Sequence, residues 1–548
     1  MIVNRILAQL LLSFMLQTSL SAGTQHQQLV NLWLREQPTD VPNKCGLPAI
    51  SYALQNRSRL KASELLALNS ILVRPTLQKS VVRGHFRIHY DTVGVHEPAM
   101  LDAQRRRIVG TANEYADSVG AILDYAYRYE TDSLGYAPPP ADDGSGGGQE
   151  YDVYVQDLGS SYYGFTTPET PINGKPNGGT YTSFITTDND FTFVAPFSNQ
   201  GLPALRVTLA HELHHAIQMG NHGYWSGDIS FYEITSVWME DVVYTDVNDY
   251  YQYTNSMNGQ FAQPQVSFVS NQFIMYSRSI WCHYLAKRFG RDIVRRMWQE
   301  IGNVPPLNAM DIVLSKPEFA SSFRNAFAEW STWNFFTGSR NDSVRYYPEG
   351  GHYRTIAPAS SAFSGTARTI VGSVAPCASK YFDVGGVLSL VVTNVNVSAA
   401  ATDETQSFSF SIQLNQKRVD NNYFSTSAAI FVKLDAPDPT NWFIKDLFGI
   451  SGAQSPFPNP YLVGDNRFLY FPLSTPNQST GSVSIFSTSM DLVYSSSQVS
   501  VFLPELGMQA LRWNGMNENN RIVGSGIYFY VVEGPAGASK GKVAIIRK

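Results

Sequence analysis

Apolar residues recur at helical spacing in LRVTLAHELHHAIQMG, residues 205–220. The repeating positions are Leu209, Leu213, Ala216 and Ile217. This spacing predicts a helix with an apolar face, for which Pro203 suits the first turn and Gly220 suits a left-handed end. A second periodic stretch, DISFYEITSVWMEDVVY at residues 228–244, predicts another helix soon afterwards.

Alternating apolar and polar residues upstream of these helices predict β-strands. The strands are HFRIHYDT at residues 85–92, YDVYVQDL at 151–158 and GTYTSFITTDND at 179–190. An apolar stripe predicts a long helix from Ala99 to Tyr127 between the first two strands. Further helices are predicted downstream at residues 276–289, 292–301 and 318–336.

The periodicity changes near residue 350, beyond which runs such as SFSFSIQL and SVSIFSTS alternate as strands between Asn, Asp and Gly turns. We predict a multidomain protein, because a chain of 548 residues exceeds the size of one hydrophobic core. An α+β domain occupies residues 81–345. Two antiparallel β-sandwich domains of Ig-like type follow at residues 346–475 and 476–548.

The N-terminal residues predict export. Residues 1–22 join a short head that carries Arg5 to an apolar run and a small-residue end, which is typical of a signal peptide. The run is shorter than the ~20 residues of a membrane-spanning helix, and no later segment reaches that length. Residues 23–80 contain helical fragments that form either a propeptide or a first helical layer.

Composition narrows the classes of function. The formal net charge is -5 and Lys and Arg form no cluster, which argues against nucleic acid as a partner. Aromatic residues make up 13% and charged residues 16%, as is typical of a secreted protein rich in β structure. Cys45, Cys282 and Cys377 are too few for a disulfide scaffold, although one pair can form in an oxidising compartment.

The first predicted helix carries His211, Glu212 and His215 in the HExxH spacing. Residues four apart lie on one face of a helix, so both imidazoles can bind one metal ion. This motif binds zinc, and Glu212 beside the metal would take a proton from the water that zinc activates. These residues therefore predict zinc-dependent hydrolysis.

Catalytic zinc sites generally use three protein ligands, so one more is needed. The metzincin pattern HExxHxxGxxH fails, because Gln218 and Asn221 stand where it requires Gly and His. The second helix offers Glu233 and Glu240, which lie two turns apart on one face, so only one of them can reach the metal. We favour Glu233 as the ligand. The alternative is that Glu233 caps its own helix in the capping box SFYE.

A series of motifs runs through residues 80–345: YDVYVQDL, YYGFTTPE, TTDNDF, HELHHAIQ, EITSVWMEDVVY, YSRSIWCHYLAKRFG and WNFFTGSR. Their order resembles that of a group of secreted bacterial zinc metalloproteases of the glutamate-zincin type. The resemblance implies a zincin-like metalloprotease fold for the 81–345 domain. It also implies that His211, His215 and Glu233 bind zinc and that Glu212 is the general base.

Thermolysin-like enzymes have an aspartate four residues after the ligand glutamate, whereas this position is Val237 here. We therefore expect Glu240 or Asp241 to orient a ligand histidine. A further electrophile should stabilise the oxyanion of the tetrahedral intermediate. The candidates for this role are Tyr276, His222 and Tyr224.

Two features bear on the substrate cleft. Zinc proteases hold an extended substrate against an edge strand just before the HExxH helix, and GTYTSFITTDND is predicted to be that strand. PNKCGLP, around Cys45, resembles the latency cysteine of matrix metalloproteases, whose thiolate caps the zinc until it is removed. The rest of the chain does not match that class, so we expect Cys45 to be an ordinary buried or bridged cysteine.

Two acidic stretches contain residue types that bind Ca²⁺, although neither has the full spacing of an EF-hand loop. They are Asp188, Asn189 and Asp190, and Asp246, Asn248 and Asp249. Solvated turns are the default expectation for both stretches, and calcium is the alternative.

The C-terminal stretch LRWNGMNENNRIVGSGIYFYVVEG carries Trp513, Gly515, Asn519, Gly524, Gly526 and Tyr528. Over residues 480–548 it resembles the Ig-like domain of flagellar hook-capping proteins and the C-terminal sorting domains of type IX secretion. The resemblance implies the secretion machinery as a partner, although the same signature also serves as a structural β domain.

These observations predict a secreted or cell-surface bacterial zinc endopeptidase that acts on protein or peptide substrates. The alternative is a non-catalytic protein that binds a cell surface or a polymer and keeps a vestigial zinc site. Both hypotheses place the protein outside the cytoplasm.

Overall fold

The computed structural model describes residues 43–159, 162–175, 178–224, 228–360, 367–383, 388–418, 428–436, 438–448, 456, 461–463, 468–473, 480–503, 508–534 and 537–547. The predicted signal peptide lies outside the described residues. Two compact units divide the chain: Met1–Phe382 with Leu390–Lys445, and Asp383–Ser389 with Asp446–Lys548. Most strands of the predicted 346–475 domain fall in the first unit.

A six-stranded mixed sheet organises the N-terminal part of the first unit. Its strands are β1 (Asn43–Cys45), β2 (Lys79–Arg83), β3 (Phe86–Tyr90), β4 (Tyr151–Gln156), β5 (Tyr162–Lys175) and β6 (Gly178–Asp188). Their order across the sheet is β1-β5-β6-β4-β3-β2. The three strands predicted from alternation correspond to β3, β4 and β6, and are confirmed.

Helices cover and extend this sheet. They are α1 (Leu47–Gln55), α2 (Ala62–Ile71), α3 (Ala112–Arg128), α4 (Leu202–Asn221), α5 (Ile229–Val243), α6 (Tyr251–Thr254), α7 (Ile274–Ser277), α8 (Ser279–Phe289), α9 (Asp292–Ile301), α10 (Pro306–Leu314) and α11 (Phe323–Phe335). The two helices predicted around the HExxH motif are α4 and α5. In α4 every residue from Val207 to Gly220 is buried, so its polar side chains must find partners inside the protein.

The predicted helix from Ala99 to Tyr127 is wrong in its first half, because α3 begins only at Ala112. Arg105 and Gly110 have positive φ angles of 60° and 79°, which a right-handed helix does not allow. Leu101 instead pairs with Arg107 in an antiparallel bridge. An apolar stripe does not detect such a turn.

Gly220 is also not the left-handed stop that we predicted for α4. It lies inside the helix, and the residue with positive φ is Gly223. A Cβ atom at Gly220 would lie 2.2 Å from Cδ of Pro140. Close packing of another segment, rather than helix termination, explains the glycine at this position.

Strand β6 is not the edge strand that we predicted. It lies between β5 and β4, and the edge of the sheet on this side is β1, which pairs in parallel with β5. The sequence missed β5, because its turn-forming residues in TTPETPINGK conceal a long strand.

The C-terminal region is mainly antiparallel β structure, as predicted, with one parallel pair between the strands at Tyr461–Val463 and Gly537–Arg547. Its first part has strands β7 (Ala359–Ser360), β8 (Ala367–Val374), β9 (Ala378–Asp383), β10 (Leu388–Asn394), β11 (Phe408–Arg418), β12 (Ala428–Asp435) and β13 (Trp442–Phe448), with helix α12 (Val397–Thr402) after β10. They form sheets in the orders β13-β10-β9-β7 and β12-β11-β8.

The second unit contains β14 (Tyr461–Val463), β15 (Leu469–Pro472), β16 (Thr480–Phe486), β17 (Leu492–Val499), β18 (Val501–Leu503), β19 (Met508–Trp513), β20 (Gly526–Gly534) and β21 (Gly537–Arg547). The sheets β14-β21-β20-β16-β17 and β15-β19-β18 enclose a common apolar core that includes Trp513, Phe471 and Ile485. This arrangement is a β-sandwich. Among the described residues, no helix is long and apolar enough to cross a membrane.

Gly164 of β5 allows the sheet to approach α4 closely. A Cβ atom there would lie 2.9 Å from the carbonyl oxygen of Thr186 and 2.9 Å from Cγ2 of Thr208. We expect Gly164→Ala to lower the free energy of unfolding by about 1–3 kcal/mol through overpacking. Chemical denaturation measures this change. Gly351→Ala is the control, because its nearest neighbour is the end of the Asn341 side chain at 3.3 Å. Equal stability of both variants would contradict the close contact.

Candidate metal centre

Helices α4 and α5 bring His211, His215 and Glu233 together inside the first unit. Nε2 of His211 lies 3.2 Å from Oε2 of Glu233, and Nε2 of His215 lies 3.3 Å from Oε1 of the same carboxylate. The two imidazole rings stand edge to face, with centroids 4.6 Å apart. All three residues are completely buried.

The other ring nitrogen of each histidine is held by a side chain. Nδ1 of His211 hydrogen-bonds Oε1 of Glu240 at 2.8 Å, and Nδ1 of His215 hydrogen-bonds Oε1 of Gln218 at 2.8 Å. The hydroxyl of Ser236 lies 3.1 Å from Nδ1 of His215. Such outer partners fix the ring orientation and the tautomer of a metal-binding histidine.

The inward-facing atoms have no hydrogen-bond partners. Neither Nε2 atom makes a hydrogen bond with any residue in the part of the chain that the structure describes, and the same holds for both oxygens of Glu233. Their contacts with one another, at 3.2 and 3.3 Å, are within ion-pair distance but are not hydrogen bonds, so this buried convergence fits a metal ion that would satisfy all of these atoms together.

A fourth potential ligand comes from β1. The ligand atoms of Cys45, His211, His215 and Glu233 all lie within 4.8 Å of one another. A set of two imidazoles, a carboxylate and a thiolate fits zinc, which accepts N, O and S ligands in tetrahedral geometry. Cys45, Cys282 and Cys377 are all buried free thiols, so Cys45 is not bridged.

Glu212 lies beside this cluster. Its Oε2 accepts a hydrogen bond of 2.8 Å from the hydroxyl of Thr166, and the thiol of Cys45 lies 3.7 Å from the same oxygen. Its Oε1 has no hydrogen-bond partner within the described ranges. Burial raises the pKa of Glu212, and the charges of His211 and His215 offset this effect in part.

The electrostatics of the metal-free site favour an ion pair. Burial lowers the pKa of His211, but the carboxylates of Glu233 and Glu240 outweigh burial and raise the pKa to about 10. Burial also raises the pKa of Glu233, but the two histidines lower it to about 2. Without metal, His211 therefore carries the proton and Glu233 is ionised at neutral pH.

The two predicted orienting residues lie in different places. Glu240 contacts His211, and its second oxygen lies 3.0 Å from Nζ of Lys44. Asp241 points elsewhere, with Oδ2 3.8 Å from Nε2 of His283, and its burial raises its pKa to about 8. Of the pair, only Glu240 lies against a histidine of the cluster.

The capping-box alternative for Glu233 is wrong. Helix α5 begins at Ile229 with Asp228 as its N-cap residue, so Ser230 is already inside the helix. The backbone N–H of Ser230 instead donates to Oδ1 of Asn271 at 3.0 Å. The carboxylate of Glu233 points to the histidines rather than to the end of its helix.

Two of the three oxyanion candidates lie within the electrostatic field of the cluster. Burial raises the pKa of Tyr276 well above its usual value, and the charges of Glu233 and Cys45 add to the effect. Burial also raises the pKa of Tyr224, to which Cys45 and Glu233 contribute. His222 instead packs against Trp298, with ring centroids 5.7 Å apart.

The acidic stretches are largely engaged by protein groups. Asp188 accepts backbone hydrogen bonds from Leu158, Asp190 and Phe191. Asp190 pairs with Arg107, Asp246 with Arg206, and Asp249 with Lys44 and Asn199. The side-chain amide of Asn189 donates to the carbonyl oxygens of Val95 and Glu97. These contacts account for the carboxylates without calcium, which stays an untested alternative.

Sequence reasoning missed Lys44, Thr166 and Gln218. Gln218 lies one turn after His215, and we considered it only as a departure from the metzincin pattern. Thr166 and Lys44 reach the site from β5 and β1, far away in the sequence. The PNKCGLP motif is the one signal that pointed to β1.

Comparisons with known proteins give no activity for this chain. A model of a family of unknown function, DUF6055, matches residues 187–335, which contain α4 and α5. No curated protein matches the chain. One similar solved structure is PorZ, an essential bacterial surface component of the type-IX secretion system of Porphyromonas gingivalis. It is 12% identical, with a TM-score of 0.14, over 34% of this chain and 39% of PorZ. A likeness of this size does not define a common fold.

Zinc affinity should depend on pH through His211. The pKa of about 10 means that metal must displace a proton from this side chain at any lower pH. We expect the apparent zinc affinity to rise about tenfold per pH unit, at least, from pH 6 to 9. Competition with a chelator of known affinity measures it. An affinity that levels off above pH 7 would contradict the raised pKa, because a histidine of ordinary pKa is already neutral there.

Proposed function

We propose that the protein is a zinc-dependent endopeptidase. One observation carries this proposal: two buried histidine Nε2 atoms and the Glu233 carboxylate converge without hydrogen bonds among the described residues, directly beside Glu212. The HExxH spacing gives the two histidine ligands and the same base from the sequence alone. Glu240 and Gln218 support the proposal by holding the outer nitrogens of the two ligands.

Zinc bound by this set would supply a Lewis acid for the substrate carbonyl and lower the pKa of a water molecule. Glu212 would accept the proton of that water through Oε1, because Oε2 is held by Thr166. Burial raises the pKa of Glu212, which makes the carboxylate a stronger base for this step. The same carboxyl group would then donate the proton to the leaving amine.

Stabilisation of the oxyanion is assigned to a tyrosine in this proposal. Tyr276 is buried and Tyr224 is half-buried, and burial moves the pKa of each phenol further above neutral pH, so that each remains a donor. His222 is a weaker candidate, since it packs against Trp298.

A zincin-like fold is part of the proposal. It is supported by the mixed sheet, by the HExxH helix packed against that sheet and by the adjacent helix that supplies Glu233. Action outside the cell or at its surface is supported by the signal-peptide pattern of residues 1–22. Engagement of the secretion machinery by the C-terminal region rests on the sequence resemblance of residues 480–548.

Replacing the base should separate catalysis from metal binding. We expect Glu212→Gln to keep about one zinc per chain and to lower the rate of casein hydrolysis by roughly 10²–10⁴-fold, because the amide cannot accept the proton. Glu114→Gln, an exposed glutamate in α3, is the matched control and should keep the wild-type rate. Full activity of Glu212→Gln would eliminate the proposed mechanism. Full zinc occupancy with an inactive wild type would favour the binding-protein alternative.

The two glutamates of α5 should behave differently when removed. Glu233→Ala should lower the zinc affinity by more than about 100-fold, because it removes a ligand rather than the partner of a ligand. Glu240→Ala should keep zinc but with an affinity lower by about 10–100-fold, because His211 loses its orienting partner. Metal analysis and melting temperatures of both variants test this assignment. A zinc-replete Glu233→Ala protein beside a zinc-free Glu240→Ala protein would reverse it.

A further inference from the structure

Strand β1 occupies the edge of the sheet next to the candidate centre. Asn43 pairs with Tyr162 and Cys45 pairs with Gly164 in a parallel register, and the backbone N–H of Gly46 donates to the carbonyl oxygen of Gly164 at 3.0 Å. Gly164 lies close to α4, the helix that carries Glu212, since a Cβ atom at Gly164 would lie 3.4 Å from Cγ of Glu212. An extended peptide that added a strand to β5 beside Glu212 would need this position.

Lys44 anchors β1 to the centre from the other side. Its side chain is completely buried, and Nζ lies 3.0 Å from Oε2 of Glu240 and 3.0 Å from Oδ2 of Asp249. Glu240 uses its remaining oxygen to hold His211. The segment that carries Cys45 is therefore tied to the same carboxylate that orients a metal ligand.

The sulfur of Cys45 lies close to the histidines and 3.7 Å from Oε2 of Glu212. Its Sγ belongs to the group of four ligand atoms within 4.8 Å, and in the described structure neither imidazole Nε2 of this group makes a hydrogen bond. The backbone N–H of Leu47 donates to Sγ at 3.3 Å, a contact that also suits a thiolate. Cys45 is a candidate ligand because its sulfur lies within 4.8 Å of the ligand atoms of His211, His215 and Glu233.

We propose that Cys45 is the fourth ligand of the metal and that residues 43–55 keep the centre closed. The claim of latency rests on the proposed peptidase function, whereas the claim of ligation does not. Zinc sites with four protein ligands are closed, and catalytic sites leave one position for water or substrate. Here the residues of the cluster are at most 2% exposed, so substrate has no direct access.

Opening then requires Cys45 to leave. The thiol binds as a thiolate, with its proton released to solvent; on departure it takes up a proton, and water enters the vacated position. The same movement frees the edge of β5 for an extended peptide. One displacement of β1 would therefore both free the fourth ligand position and expose the edge of β5.

X-ray absorption at the zinc edge tests ligation directly on the zinc-loaded full-length protein. We expect one Zn–S distance of about 2.3 Å beside Zn–N and Zn–O distances of about 2.0–2.2 Å. Cys45→Ala and Cys45→Ser should lose the sulfur scatterer and keep the zinc. Cys282→Ala is the matched control, because Cys282 is an equally buried free thiol in α8, and its spectrum should match the wild type.

The same variants test closure. Cys45→Ala should hydrolyse casein at least about tenfold faster than the wild type, as expected if fewer than one molecule in ten is open beforehand. Zinc should also pass to a soluble chelator at least about tenfold faster from Cys45→Ala, a readout that does not need activity. Cys282→Ala should behave as the wild type in both assays. Cys45→Ser serves in its place if the alanine variant does not fold.

The outcomes separate the two claims. A wild-type spectrum without sulfur would overturn the proposal, whatever the activity. Sulfur in the wild type with unchanged hydrolysis and chelator rates in Cys45→Ala would overturn closure. Sulfur in the wild type and faster zinc loss from Cys45→Ala, without hydrolysis by either protein, would support ligation and closure while refuting the peptidase function.

Discussion

The structure depends on two largely buried helices: α4 packs against the mixed sheet, and α5 packs against α4. Every residue of α5 and nearly every residue of α4 is excluded from water. Buried imidazoles and carboxylates are tolerated only when they are paired, so the polar side chains of both helices must face one another. At the candidate metal centre, the Nε2 atoms of His211 and His215 and the oxygens of Glu233 make no hydrogen bonds with the described residues.

Hydrogen bonds and an ion pair connect the centre to residues that are distant in the sequence. Glu240 links His211 to Lys44 of β1, and Gln218 links His215 to Thr235 of α5. Thr166 of β5 holds Glu212. Glu240 therefore connects His211 to β1, and a displacement of β1 would change the environment of His211.

Local patterns in the sequence revealed the helices and the buried strands, because a period of 3.6 or 2 follows from which face is covered. The HExxH motif singled out His211, Glu212 and His215, and the need for a third ligand on the next helix led to Glu233. The early turn at Arg105 and Gly110 escaped prediction, because backbone conformation there departs from the apolar pattern. The position of β1 depends on pairing between residues more than 100 apart, for example Cys45 with Gly164, which one sequence does not reveal. Strand β5 pairs with the neighbouring β6, but its turn-forming residues concealed it.

The central claim is that α4 and α5 hold one zinc ion between His211, His215 and Glu233. Anomalous diffraction from crystals of the zinc-loaded protein, recorded above and below the zinc edge, tests it most directly. The account predicts one anomalous peak about 2.0–2.2 Å from Nε2 of both histidines and from a carboxylate oxygen of Glu233. No peak between these residues in zinc-replete crystals, or a peak bound elsewhere on the chain, would contradict it.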